Sequence, residues 1–285
     1  LTSGGILVTA NVDANASTIT GGSMVSGTNE FIFTQNNTSS TLTIDSRILS
    51  GTTTSPNITK NGPGALILSG TNNQTGTVNI DEGILRLTGG SAISDTSSVT
   101  LRNVAGAGLE LLNSQTETIG SLIGDAGGSI ILNNGSTLTV NQTSTQTVAA
   151  VISGAGSFTK TGASTLTLTG SSTFNGTLRV DQGSVALTGT GTQLAAVTAI
   201  ILSGTGSLSN TQDQDANVGR ILNGATITLN NTSLGSGMVL TDSDATANNA
   251  ETVGALTLGA GHNVITSTSS IAAAIGTLTF ASLAA

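Results

Sequence analysis

Two stretches of this chain repeat each other at an offset of 100 residues. ITKNGPGALILSGTNNQTGTVNIDEGILRLTG at 58–89 aligns without a gap on FTKTGASTLTLTGSSTFNGTLRVDQGSVALTG at 158–189. Of the 32 aligned pairs 13 are identical: Thr59/Thr159, Lys60/Lys160, Gly62/Gly162, Leu66/Leu166, Leu68/Leu168, Gly70/Gly170, Gly76/Gly176, Thr77/Thr177, Asp81/Asp181, Gly83/Gly183, Leu87/Leu187, Thr88/Thr188 and Gly89/Gly189. A fixed internal period marks a chain that stacks copies of one small unit, each unable to bury its apolar face alone.

Within each copy the apolar residues recur with period two. Leu66 and Leu68, Val78 and Ile80, and Leu85 and Leu87 alternate with residues that differ between the copies; Leu166/Leu168, Leu178/Val180 and Val185/Leu187 take the matching positions. This predicts three short strands per copy with one buried face. Gly70, Gly76 and Gly83 with their counterparts mark the bends. The alternate positions vary, as Ile67 against Thr167, Asn79 against Arg179 and Arg86 against Ala186. The same strand texture recurs at 41–44, 137–140, 226–229, 255–258 and 277–280.

Composition narrows the architecture. Charged residues are 8% of the chain, about a third of the usual share, while apolar residues are 36%. Mean hydropathy is +0.24, so the chain can bury a core and does not have a disordered composition. With aromatics at 2%, no Trp and no Tyr, that core must be aliphatic. Short strands also fit a sandwich, and Asn61-Gly62, Asn134-Gly135, Asn175-Gly176 and Asn223-Gly224 would each suit a hairpin. The recurring three-strand unit and the missing core aromatics favour a parallel β-helix. The expectation is therefore an all-β, right-handed parallel β-solenoid of roughly three strands per coil. At ~20–25 residues per coil it would make roughly 11–14 coils. It is expected to run over 1–285 as one continuous segment, with 193–285 as a less regular subregion.

The pattern Thr-Lys-x-Gly-x-x-x-Leu-x-Leu-x-Gly…Gly-Thr-[VL]-x-[IV]-Asp-x-Gly-x-[LV]-x-Leu, at 58–87 and 158–187, resembles the autotransporter-associated β-strand repeat of passenger proteins. The segments 118–122, 138–140 and 151–154 resemble such passengers as well. Leu1–Gly5 and 251–256 are similar to stretches of giant repeat-rich surface proteins of environmental bacteria. The resemblance implies a right-handed β-helix carried across the outer membrane and displayed or released. It implies no single activity, because such repeats serve as a scaffold for many.

Charge and length exclude other classes. A net charge of −8 with only 7 Lys+Arg cannot track phosphates, so no nucleic-acid partner is expected. No stretch reaches ~18 unbroken apolar residues, and 5 Phe without Trp or Tyr cannot furnish the aromatic girdles of a membrane barrel. No membrane insertion of this segment is expected. Without cysteine there is no disulfide framework. The chain opens at Leu1 with no signal peptide before it, which reads as a mature or internal portion of something longer.

Candidate chemistry is sparse, and no catalytic, cofactor-binding or metal-binding residues are assigned. His262, the only histidine, reads as a solvated turn residue. Asp213 with Asp215, and Asp242 with Asp244, have a spacing that calcium sites and glycosidases use, yet both pairs look like polar loops. Lys60, Lys160, Asp81 and Asp181 recur with the repeat, which predicts turn capping on a solvated face. Thr165, Thr167 and Thr169 form an outward row, but Ala65, Ile67 and Ser69 in the first copy break any ice-binding lattice. Sequons such as Asn57-Ile58-Thr59 are expected by chance in this composition.

The functional expectation is an extracellular or cell-surface structural and adhesive solenoid, a rigid stalk without catalysis or cofactor. End-to-end pairing of its strand edges into filaments and contact with surface glycans or neighbouring cells are the expected partnerships. The rival is a polysaccharide-binding or polysaccharide-degrading β-helix.

Overall fold

A computed structural model describes residues 4–50, 55–189, 193–212, 219–234, 236–242, 250–269 and 276–284. Asp213, Asp215 and Asp244 lie outside the described residues; Asp242 closes the strand Gly237–Asp242. Apart from one 3-10 turn at Ala10–Val12, the described secondary structure is strand. The described residues form an all-β solenoid of about 11 turns, and the chain divides into two compact units, Leu1–Asn141 and Gln142–Ala285.

In the first unit one sheet stacks Gly5–Val8, Glu30–Gln35, Asn57–Asn61, Val78–Ile80, Ser98–Leu101 and Ser121–Gly124. A second stacks Ser17–Ile19, Leu42–Ile44, Leu66–Leu68, Ile84–Leu87, Gly108–Leu111 and Ser129–Leu132. The third face is interrupted. It carries Ser23–Val25 on Arg47–Leu49, then Thr116–Ile119 on Thr137–Asn141, while 70–76 and 90–97 pass along it without a strand. Neighbouring strands in these two sheets pair in parallel.

Parallel register converts the period-two pattern into ladders. Phe31, Ile58, Val78, Val99 and Leu122 stand one above the next inside the first sheet. Leu42, Leu66, Leu85, Leu109 and Ile130 do so inside the second. All are essentially fully buried, and burying an aliphatic side chain of this size contributes about 1.5–3 kcal/mol. Asn61-Gly62 is a corner between two faces and closes no hairpin, since Asn57–Asn61 and Leu66–Leu68 lie in different sheets.

The second unit follows the same rule with two long faces. One stacks Gln146–Val148, Thr165–Leu168, Ser184–Leu187, Ser207–Gln212, Gly237–Asp242 and Val264–Ser269. The other stacks Ser157–Thr161, Thr177–Val180, Ala199–Gly204, Thr226–Asn231, Ala250–Leu258 and Thr277–Ala284. Its third face holds Val151–Gly154 and then single parallel bridges from Ser172 to Leu194 to Ile221. Phe158, Leu178, Ile200, Ile227 and Leu256 form one inner ladder.

Candidate functional site

The residues that recur most strictly in the two copies come together at a corner of the coil. Lys60 lies on the inward side of Asn57–Asn61, in register between Phe33 and Ile80, and is fully buried. Its stem continues the aliphatic ladder, while Nζ donates to the carbonyls of Asn61 at 2.9 Å, Gly62 at 2.5 Å and Glu82 at 2.9 Å. An ammonium has three N–H donors, so each is satisfied. Two acceptors belong to the turn that follows Lys60; the third belongs to the corresponding turn of the next coil. The lysine thus ties two successive corners together.

The second copy reproduces the arrangement. Lys160 is fully buried, and Nζ donates to Thr161 at 2.8 Å, Gly162 at 2.7 Å and Gln182 at 3.1 Å. Burial pushes both ammonium groups down from 10.5 to about 8, with Glu82 opposing the shift at Lys60. The solvated-face reading of Lys60 and Lys160 is therefore corrected. They do cap turns, but from inside, because a four-carbon stem fits an aliphatic ladder while its charged tip reaches the corner carbonyls.

The glycine of Asp-x-Gly completes the corner. Gly83 has φ +66°, and a Cβ there would lie 2.5 Å from the Gly62 carbonyl oxygen and 2.9 Å from Lys60 Nζ. Gly183 matches it, with φ +66° and the Gly162 oxygen at 2.5 Å. Asp81 and Asp181 each donate a backbone N–H to the carbonyl of their lysine, at 2.9 and 3.0 Å. Their carboxylates point outward into partly exposed ion pairs with Arg102 at 3.2 Å and Arg179 at 2.7 Å.

A second device escaped the sequence reading. Glu117, on the inward side of Thr116–Ile119, is buried, and its carboxylate accepts the backbone N–H groups of Ile93 at 2.8 Å and Ala92 at 3.2 Å. Those amides lie in the strandless stretch 90–97, so the carboxylate replaces a missing sheet partner. Glu251 does the same in the second unit. It accepts from the Arg220 N–H at 2.7 Å, the Ile221 N–H at 3.4 Å and Asn210 Nδ2 at 2.7 Å. Burial raises Glu117 to about 7, reinforced by Asp95 and opposed by the two amides. Burial raises Glu251 too, opposed by its three hydrogen bonds and by the Arg220 charge. The signal was present: Glu117-Thr118-Ile119-Gly120-Ser121-Leu122 and Glu251-Thr252-Val253-Gly254-Ala255-Leu256 are a short second repeat.

On the outer surface of the first unit, Ile67, Arg86, Glu110 and Ile131 form one half-buried row across four strands of the second sheet. Arg86 Nε pairs with Glu110 Oε2 at 2.7 Å, and Asn133 Nδ2 donates to Glu110 Oε1 at 2.9 Å. Beside this row a groove of about 270 Å³ opens between the turns 38–41 and 63–65, floored by Ile84 and Arg86. His262 sits exposed in a turn, its backbone N–H bonded to the Asn231 carbonyl at 2.7 Å.

The passenger-associated-transport-repeat family matches residues 58–87 and 158–187, the two segments that build the lysine corners. No curated protein and no solved structure matches the chain. The repeat and the β-solenoid together fit an extracellular, passenger-like protein.

Proposed function

We propose, for a chain that carries two passenger-associated transport repeats on a parallel β-solenoid, that it is a structural and adhesive stalk at the bacterial cell surface. The observation that supports this most is the use of its recurring charged residues. Lys60 and Lys160 hold backbone carbonyls inside the coil, and Asp81 and Asp181 are in outer ion pairs. In this reading the repeat encodes rigidity, and the variable outer positions carry contact with surface glycans or neighbouring cells. No cofactor is required, and self-association into filaments belongs to the same reading.

The competing reading, a polysaccharide-binding or polysaccharide-degrading β-helix, draws on the groove beside Arg86. Incubation of the protein with a panel of surface polysaccharides, followed by product analysis, separates the stalk from a polysaccharide-degrading β-helix. The stalk reading expects retention of some polysaccharides with no bond cleavage; sustained turnover would overturn it. Antibody labelling of intact cells of the source bacterium tests the location, and signal only after permeabilisation would count against it.

A further inference from the structure

We propose that two copies of this chain pack face to face through the second sheet of the first unit, with those sheets' coil axes antiparallel. The row Ile67, Arg86, Glu110, Ile131 points to this contact, because its four members stand on successive coils as register partners. Read along the coil axis the row is apolar, positive, negative, apolar. Reversed, it is its own complement.

Two faces can meet about a two-fold axis lying in the contact plane in two simple ways. An axis parallel to the strands, passing between Ile84–Leu87 and Gly108–Leu111, reverses the order of coils. It sets Arg86 against the second copy's Glu110 and Ile67 against the second copy's Ile131. An axis parallel to the coil axis preserves the order and sets Arg86 against Arg86 and Glu110 against Glu110. Electrostatics selects the first. The Arg86–Glu110 pair, already 2.7 Å apart within one chain, becomes half of an alternating square in which each charge has an opposite neighbour in its own chain and another across the contact. Such a self-complementary patch is what a closed, isologous dimer requires, and charge juxtaposition of this kind fixes register and rejects the alternative docking.

The size of the face sets the strength. About this axis four strands of the sheet overlap, Leu66–Leu68 through Ser129–Leu132; at ~4.8 Å and roughly four residues each they give a patch on the order of 250 Å² per copy. The total is on the order of 500 Å², below the ~1,200 Å² where stable complexes begin. The dimer is therefore weak in solution, with a dissociation constant of about 10 μM to 1 mM. Many copies held side by side would engage through avidity. The proposal stands apart from the question of which glycan or surface the protein meets.

Sedimentation equilibrium of the full chain over a concentration series tests it. The unaltered protein should show a monomer–dimer equilibrium in that range. Arg86→Glu and Glu110→Arg alone should each weaken it at least about tenfold, and Ile67→Ser should weaken it as well. Mixing the two charge variants in equal amounts is the decisive arm. Each chain still carries like charges side by side, yet the contact between the two chains is restored, so a heterodimer of near-original strength is expected. Far-ultraviolet circular dichroism of each variant confirms that it keeps its strands. Should a charge variant fail to fold, Ile67→Ser and Ile131→Ser each give a separate reading of the same face. A mixture no tighter than either variant alone, dimerisation untouched by these substitutions, or a monomer up to about 1 mM would each overturn the proposal. So would binding of a polysaccharide through Arg86 by a strictly monomeric protein.

Discussion

The α-carbon of Gly83 lies against the carbonyl cage of Lys60, so closely that a Cβ would come within 2.9 Å of Nζ. The pair explains why lysine and glycine recur together although 22 other positions separate them. Neither works alone: the ammonium needs the Glu82 carbonyl of the next corner, and that corner turns tightly only at positive φ.

Lys60→Met keeps the aliphatic stem and removes the charge, leaving corner carbonyls without their donor. Each buried polar group left unsatisfied costs about 1–3 kcal/mol. The expected loss is about 2–4 kcal/mol, read as a lower urea midpoint, with Lys160→Met similar in its own unit. Gly83→Ala should be comparably damaging, since it combines left-handed strain with a collision.

The outer ion pairs should behave differently. Arg102 and Asp81 are 57% and 39% exposed, and pairs of this kind contribute about 0–1 kcal/mol. Arg102→Ala should shift the urea midpoint only slightly. The contrast with Lys60→Met distinguishes internal tethers from surface charge.

Gln74 is fully buried, and among the described residues neither of its amide atoms has a partner. Its counterpart in the second copy is Phe174, packed against Phe158 with ring centroids 6.5 Å apart. Gln74→Met, close in volume and without polar demand, is expected to stabilise the protein by about 1–2 kcal/mol. A rise in thermal midpoint checks this.

Stability should rise on mild acidification. The folded Glu117 carboxyl holds a proton up to about pH 7, against 4.5 for an ordinary one. Between those values the folded state binds more protons than the unfolded chain, so falling pH favours folding. Glu251 acts in the same direction. At the alkaline end Lys60 and Lys160 lose protons near 8 when folded but near 10.5 when unfolded. There the unfolded chain binds more, and stability climbs with pH through that window. Urea midpoints from pH 5 to pH 10 should therefore dip near neutrality. Glu117→Gln should flatten the acidic limb.

How much of this was legible depended on the type of signal. Leu66, Leu68, Leu85 and Leu87 announced their burial by alternation, and the repeat announced stacking, because both are patterns of apolar residues. The inward direction of Lys60 was opaque, because a charged residue reads as surface unless its partners are known, and those partners are backbone carbonyls; Glu117 left only the short repeat shared by 117–122 and 251–256, which does not say what its carboxylate binds. The strandless stretches 70–76 and 90–97 were equally hidden. In 70–76 the alternating buried residues Asn72 and Gln74 are polar, and in 90–97 the buried Ala92 and Ile93 are adjacent and break the period of two.

The claim beneath all of this is that successive windings lie side by side as parallel strands. Asn79 and Thr100 are register partners on the outer face, and the native chain has no cysteine. Adjacent strands lie about 4.8 Å apart, within disulfide reach. Asn79→Cys with Thr100→Cys should therefore close one intramolecular disulfide on mild oxidation, seen by mass spectrometry of the folded monomer. Two thiols that stay free under those conditions would contradict the solenoid.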